Sequence, residues 1–260
     1  MDLQLRNKVI LVTGGANGIG AAIVRGAAEE GAIPVIVDQD AEATEQLQSA
    51  LRNNARTVHS VVVDLSNPDN CAKAVAETTR TCGGLDVLVN NAGGNDRIGL
   101  ERGSPAEYVE SLERNLLHCY NMAHFALPLL KRSRGCIVNI ASKTAVTGQT
   151  GTSGYVSAKG AILALTREWA ADLLAYEIRV NAVVPAEVMT AHYQRWLDTF
   201  SDPGEKLKTI LGKIPLGRRM TTPDEIAAMV LFLMSGKAGH ITGQHVYVDG
   251  GYVHLDRALT

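Results

Sequence analysis

Short apolar runs rich in β-branched residues alternate along this chain with longer stretches whose apolar positions recur at helical spacing. The run "KVILVTG" (8–14) is apolar almost throughout, as a strand buried on both faces requires. "GIGAAIVRGAAEEGA" follows with apolar residues three and four apart, which predicts a helix. "IPVIVD" (33–38) predicts a second strand, 41–54 a polar amphipathic helix, and "VHSVVVDL" (58–65) a third strand. Asn67-Pro68 opens the next helix, with proline at an early position where its missing N–H costs nothing. "LDVLVNNAG" (85–93), "GCIVNIAS" (135–142), "IRVNAVVP" (178–185) and "HVYVDGG" (245–251) predict strands four to seven. Further helices are predicted over roughly 105–131 and 155–174.

Such β-α alternation implies parallel strands joined by right-handed crossovers. The fold class is therefore α/β, a doubly wound Rossmann fold with a seven-stranded parallel sheet, in one domain spanning 1–260. The segment 187–221 breaks the rhythm, being polar and helix-leaning between strands six and seven. It is either a lid over the carboxyl ends of the strands or a surface helical hairpin.

Composition narrows the partners. With 46% hydrophobic and 20% charged residues, the chain reads as a soluble globular protein able to bury a large core. A formal net charge of -2 without runs of one sign argues against nucleic acid or an anionic membrane as partner. No apolar run reaches the ~18 residues of a membrane span, and "MDLQLRNKVI" carries no signal or transit pattern. Cys71, Cys82, Cys119 and Cys136 show neither CxxC pairing nor metal-ligand spacing, so reduced thiols and no metal site are expected. A cytoplasmic location follows as the expectation.

"TGGANGIG" (13–20) lies between a predicted strand and a predicted helix. Gly14, Gly18 and Gly20 permit a tight turn and close approach of a ligand, and the N–H groups of the helix start then face a pyrophosphate. Asn17 and Ile19 stand in the same loop. A glycine-rich turn can be only a turn; the strand-loop-helix context favours a dinucleotide. Asp38 ends the second strand about 20 residues on, where a carboxylate accepts hydrogen bonds from ribose hydroxyls. It would repel a 2′-phosphate, and Gly15, Asn17 and Gln39 occupy the nearby places where a basic residue would stand. NAD is expected rather than NADP. Asp38 could instead cap the following helix, a task that Asp40 could do equally well.

Ser142 ends the fifth strand, Tyr155 and Lys159 stand one turn apart on the next helix, and Asn115 sits inside the long helix before that strand. Each alone has a plain structural explanation: a capped turn, a solvated face, a poor helix former. Together with "TGGANGIG", Asp64 in "VVVDLS", "NNAG" at 90–93 and the "IRVNAVVP" strand, they resemble the short-chain dehydrogenases/reductases over nearly the whole chain. The resemblance implies that Tyr155 is the general acid/base. A free phenol titrates near ~10, too high for a base at neutral pH, and a neighbouring ammonium favours the phenolate. Lys159 would also bond the nicotinamide ribose, Ser142 would bond the oxygen of the reacting carbinol or carbonyl, and Asn115 would hold a relay water. Asp64 and Leu65 carry over as adenine contacts, Asn91, Ala92 and Gly93 as the adenosine side, and Pro185, Val188 and Thr190 as the nicotinamide side.

One departure stands out. The family has Pro-Gly after strand six, whereas this chain has Pro185-Ala186-Glu187. Glu187 is either a substrate contact, the favoured reading, or a salt bridge to a basic residue of the 187–221 segment.

The expected substrate walls read Gly94, Asn95, Asp96 and Arg97; Lys143, Thr144 and Gln149; and Glu187, His192, Gln194, Arg195 and Trp196. Of these, Asn95, Lys143, Gln149, Glu187, His192 and Trp196, with Ser142 and Tyr155, are the candidate substrate contacts. This polar set suits a polyhydroxylated ligand better than a steroid or acyl chain, with Trp196 as a face for a sugar ring. The ending "HVYVDGGYVHLDRAL" and the 187–221 segment resemble a bacterial, sugar-oxidising branch of the family, L-fucose dehydrogenases in particular. The expected reaction is oxidation of an aldose at its anomeric carbon by NAD⁺. The alternatives are a 3-oxoacyl or other ketone reductase, against which Asp38 argues, and a non-catalytic nucleotide sensor, against which the intact four-residue set argues. A homotetramer, with a dimer as the fallback, is expected by the same resemblance.

Overall fold

The computed structural model describes residues 2–256. Seven parallel strands form one sheet in the order β3-β2-β1-β4-β5-β6-β7. They are β1 (Val9–Thr13), β2 (Ile33–Asp38), β3 (His59–Val62), β4 (Val87–Asn90), β5 (Cys136–Ile140), β6 (Arg179–Pro185) and β7 (His245–Val248). All seven coincide with predicted runs but several are shorter. In 85–93, for example, pairing stops at Asn90, because the asparagine and glycine that follow turn the chain away.

Helices α1 (Gly18–Glu29), α2 (Ala41–Asn53) and α3 (Pro68–Cys82) lie where helices are predicted. The single helix predicted over 105–131 is a continuous helical run in three parts. α4 (Pro105–Leu112) passes into a π-helical turn, Glu113–Leu117, and then into α5 (His118–Ser133). α6 (Ser153–Asp172) carries Tyr155 and Lys159. The 187–221 segment holds two short helices, α7 (Ala191–Leu197) and α8 (Pro203–Leu211). A further helix, α9 (Pro223–Met234), has no counterpart in the predicted elements. It starts with a full capping box, Thr222 with Glu225, and is apolar on most sides because it is buried.

Helices cover both faces of the sheet, so its strands read as unbroken apolar runs. Ile23 and Val24 of α1 pack with Val230 and Met234 of α9 on one face. Cys71 of α3 packs with Met122 and Leu130 of α5 on the other. Strand order reverses between β1 and β4, and the crevice beyond their carboxyl ends is where doubly wound folds bind ligands.

Candidate active site

The glycine loop closes that crevice from below. Gly14 has φ +61°, and a Cβ at Gly20 would come within 2.0 Å of the Gly14 carbonyl oxygen, so neither position accepts a side chain. The loop is held from two sides. Asn91 donates from its amide to Thr13 O at 3.0 Å and Gly14 O at 2.9 Å. Thr13 Oγ1 in turn accepts from the backbone N–H of Asn91 and Ala92. Asn91, a candidate for the adenosine side, thus holds the glycine turn with its side chain. Thr13, unnoticed in the sequence, completes this clamp.

Asp38 is half-buried at the end of β2. Its Oδ2 accepts from Ala16 N–H at 3.0 Å and its Oδ1 from Asp40 N–H at 3.0 Å. Capping of α2 falls to Asp40, which accepts from Ala43 N–H. Asp38 is thereby left at the loop rather than at the helix. Asn17 is the N-cap residue of α1 but makes no side-chain cap bond, and its amide reaches Asp40 instead. The first N–H groups of α1 carry no side-chain cap, an arrangement suited to an anion. Asp64 is exposed and Leu65 buried at the end of the third strand's loop, on the flank of the same crevice.

The elements that carry the four candidate catalytic residues pack together, since α6 lies against both the π-helical turn that holds Asn115 and the short turn that follows Ser142. Ser142 is 8% exposed, and its Oγ accepts from Thr144 N–H and from the Thr144 hydroxyl. Lys159 is 3% exposed and donates its ammonium to the Ile140 carbonyl at 2.8 Å. It lies 5.6 Å from the centroid of the Tyr155 ring, so the pair does share one face of α6. Asn115 lies in the π-helical turn, a distortion often found at functional sites. Its Oδ1 accepts from Gly94 N–H at 2.8 Å, and its amide donates to Asp96 Oδ2 at 3.2 Å. Asn95 Oδ1 accepts from Thr152 at the start of α6 and from Arg97 N–H. The loop after β4 is thus bound both to Asn115 and to the turn that presents Tyr155.

Behind this group His118 is almost fully buried beside Cys119. Burial, then the Lys159 charge, lower its pKa to about 4, so the imidazole is neutral in the fold. Burial raises the Cys119 thiol to about 12. Among the described residues no group of histidine, cysteine and acidic side chains is arranged to hold a metal.

The 187–221 segment begins and ends at the site. Val188 forms a parallel bridge with Thr221, and Thr221 N–H donates to Glu187 O. A Cβ on Gly18 would stand 3.2 Å from Thr190 Cγ2, which sets Thr190 against the glycine loop. Ala186 does not adopt a positive φ, so alanine replaces the family's glycine there without strain.

The structure gives the surroundings of the expected substrate walls. Glu187 is ion-paired, but with Lys143 beside Ser142 rather than with a base of its own segment. Its other oxygen accepts from the Tyr193 hydroxyl of α7 at 2.7 Å. Burial and the Glu187 charge push the Tyr193 phenol well above its ordinary range. Around Trp196, Tyr193 and Phe200 meet the ring edge-on, and Arg97 and Lys206 stand within 6 Å of its centroid. Gln149 and His192 are exposed, and neither is bonded to the group around Ser142. Tyr252, in the turn that Asp249 orders with bonds from Gly251 and Val253 N–H, lies 3.7 Å from the Lys143 ammonium. Of the chain end "HVYVDGGYVHLDRAL", Arg257, Ala258 and Leu259 fall outside the described residues.

This architecture has close counterparts. A family model described as enoyl-(acyl carrier protein) reductase matches residues 14–253. The L-fucose dehydrogenase of Bos taurus is 36% identical over 252 residues, covering 96% of this chain and 91% of that protein. The 3-oxoacyl-(acyl-carrier-protein) reductase of Thermotoga maritima is 32% identical over 252 residues, with 96% and 100% covered. The chain belongs to the short-chain dehydrogenase/reductase family. It is an oxidoreductase of that family, whose members use a nicotinamide cofactor. The crystal structure of Cj0485 dehydrogenase superposes with a TM-score of 0.94 at 45% identity, covering 100% of this chain and 99% of that one. Ligand-free aldohexose dehydrogenase of Thermoplasma acidophilum gives 0.88 at 32% identity, with 97% and 96% covered.

The crevice fits a dinucleotide on its own geometry: a glycine turn that admits no Cβ, an uncapped helix start and a carboxylate at the end of β2. Gly14, Asn17, Gly18, Ile19, Gly20, Asp38, Asp64, Leu65, Ala92, Gly93, Pro185, Val188 and Thr190 are the candidates to border it.

Proposed function

We propose that this protein oxidises a sugar at its anomeric carbon with NAD⁺, with L-fucose or a close stereochemical relative as substrate. The observation that carries the substrate class is the charged wall beside Ser142, where Lys143 and Glu187 meet. An acyl chain or steroid would gain nothing from these charges, whereas a polyol can bond to the donors and acceptors that their mutual contact leaves over. Asp38 carries the cofactor choice, since a carboxylate at the ribose position repels a 2′-phosphate.

In this reading the cofactor supplies the hydride acceptor. Tyr155 takes the proton of the reacting hydroxyl, Ser142 bonds its oxygen, and the Lys159 ammonium stands 5.6 Å from the centre of the Tyr155 ring. Ile140 holds the ammonium in place through its carbonyl. Asn115 anchors the loop after β4 and stands where a proton path from Lys159 would leave the core. The 187–221 segment acts as the lid. The protein works as a cytoplasmic homotetramer, with Tyr108, Val109, Leu117 and Tyr120, exposed on α4, the π turn and α5, as part of the contact between copies.

The reading is supported by relatives called L-fucose dehydrogenase and aldohexose dehydrogenase. A reductase of 3-oxoacyl thioesters is the second reading, favoured by the likeness to the Thermotoga maritima protein. A panel of aldoses, polyols, hydroxysteroids and acyl ketones, followed by NADH or NADPH absorbance, separates them. Oxidation of an aldose with NAD⁺ is expected. Turnover of only an acyl ketone or a steroid would end the sugar reading.

A further inference from the structure

Lys143 and Glu187 occupy an unusual place for a charged pair. Their side chains are 8% and 14% exposed, at the carboxyl ends of the adjacent strands β5 and β6. Lys143 directly follows Ser142, and Glu187 stands two residues past the end of β6. A buried ion pair adds little to stability by itself, because desolvation cancels most of the attraction. The pair nevertheless has dedicated supports: Tyr193 donates to Glu187 Oε2, and the Tyr252 ring lies against the ammonium.

We infer that Lys143 and Glu187 together determine specificity by reading the hydroxyl next to the reacting carbon. An ammonium has three donors and a carboxylate about four acceptor positions. Each therefore keeps bonding capacity beyond their mutual contact and beyond Tyr193. A donor and an acceptor in direct contact match a single hydroxyl, whose oxygen accepts from Lys143 while its proton is donated to Glu187. With the first carbinol oxygen at Ser142 and Tyr155, the neighbouring hydroxyl falls to the pair. The charges cancel, so the wall favours a neutral polyol over a sugar acid. Tyr193 makes the lid part of this recognition, since α7 must be in place to aim the carboxylate.

This inference rests on the polyol reading, and the test keeps the two apart. Full-length protein with NAD⁺ is assayed on L-fucose against 2-deoxy-L-fucose, and on meso-2,3-butanediol against 2-butanol. Within each pair only the neighbouring hydroxyl differs. The variants are Glu187→Gln, which keeps the shape and the Tyr193 contact, and Lys143→Met/Glu187→Gln, which leaves no lone buried charge. The wild-type kcat/KM should favour the diol of a pair by at least ~10²-fold, and both variants should shrink that ratio by at least ~10-fold, as loss of a bond to a charged group implies. The NAD⁺ dissociation constant and the thermal midpoint report whether the fold and cofactor site are kept. Equal losses on diol and mono-alcohol would make the pair a structural tie and overturn the inference. Oxidation of L-fucose and its 2-deoxy analogue at equal rates would overturn it while leaving the sugar reading standing. Turnover of butanediol in preference to butanol, with no aldose oxidised, would support the inference and end the sugar reading. Turnover of neither pair would remove both.

Discussion

The ammonium of Lys159 donates to the carbonyl of Ile140, the last residue of β5, at 2.8 Å. The bond ties the α6 side chain to the strand that carries Ser142 two residues later. It fixes the lysine while leaving its charge 5.6 Å from the Tyr155 ring. Lys159→Ala should therefore damage three things at once. Turnover falls because the charge near the phenol is lost, and NAD⁺ binds more weakly. The fold itself loses roughly 1–3 kcal/mol, because a buried carbonyl is orphaned. Tyr155→Phe should lower kcat by at least ~10² with NAD⁺ affinity kept. Near-normal turnover of Tyr155→Phe would show that the reacting proton goes elsewhere.

Asp38 accepts from the backbone of the glycine loop at Ala16 and from Asp40 N–H. Wild-type enzyme should prefer NAD⁺ to NADP⁺ by ~10- to 10²-fold in kcat/KM, the scale of losing one hydrogen bond to a charged group. Asp38→Ser should narrow the gap, and should also weaken NAD⁺ binding because the loop loses its tie to β2. Comparable kcat/KM for both cofactors in the wild type would remove the carboxylate from the cofactor choice.

The sheet was legible because its central strands, β1, β4, β5 and β6, are buried on both faces and read as apolar runs, and the edge strands β3 and β7 keep β-branched residues. The glycine loop and the Tyr155–Lys159 pair were legible because their spacing is local. What escaped was non-local. Lys143 and Glu187 are 44 residues apart and meet only because β5 and β6 are neighbours. The role of Tyr193 depends on how α7 folds back. α9 went unpredicted because, without a polar face, its run of Met229, Val230, Leu231, Phe232 and Leu233 shows no helical period. Its Thr222-Pro223 start with Glu225 was the signal available. The π turn at Asn115 leaves no mark in a pattern of apolar positions, since the helix continues on both sides.

Trp196 joins α7 to its surroundings through Tyr193, Phe200, Arg97 and Lys206. Trp196→Ala should act through lid order rather than through loss of a stacking face. Tyr193 would aim Glu187 less well, so KM for the sugar should rise several-fold while KM for NAD⁺ changes less. Protease cleavage within 191–211 should also become faster. A raised KM with unchanged proteolysis would restore Trp196 as a direct sugar contact.

His118 gives the fold a pH dependence of known sign. Its ring is buried between α5 and the loop after β4, near the Lys159 ammonium, with the backbone of Arg114 and Ala92 as partners. In the folded protein it takes a proton only near pH 4, whereas in the unfolded chain it does so near its ordinary value of ~6.5. Between those values the unfolded chain binds more protons, so stability rises with pH. This contribution is complete above pH ~6.5 and is lost as the pH falls toward 4, by roughly 2 kcal/mol at pH 5 and about 3 kcal/mol in all. Urea midpoints at pH 7.5 and pH 5.0 should differ in the wild type by more than in His118→Gln, which cannot take a proton. The glutamine should cost stability at pH 7.5, since its shape differs, yet recover ground on the wild type at pH 5.0. Equal pH slopes for the two proteins would show that His118 is not the group whose burial makes the fold sensitive to acid.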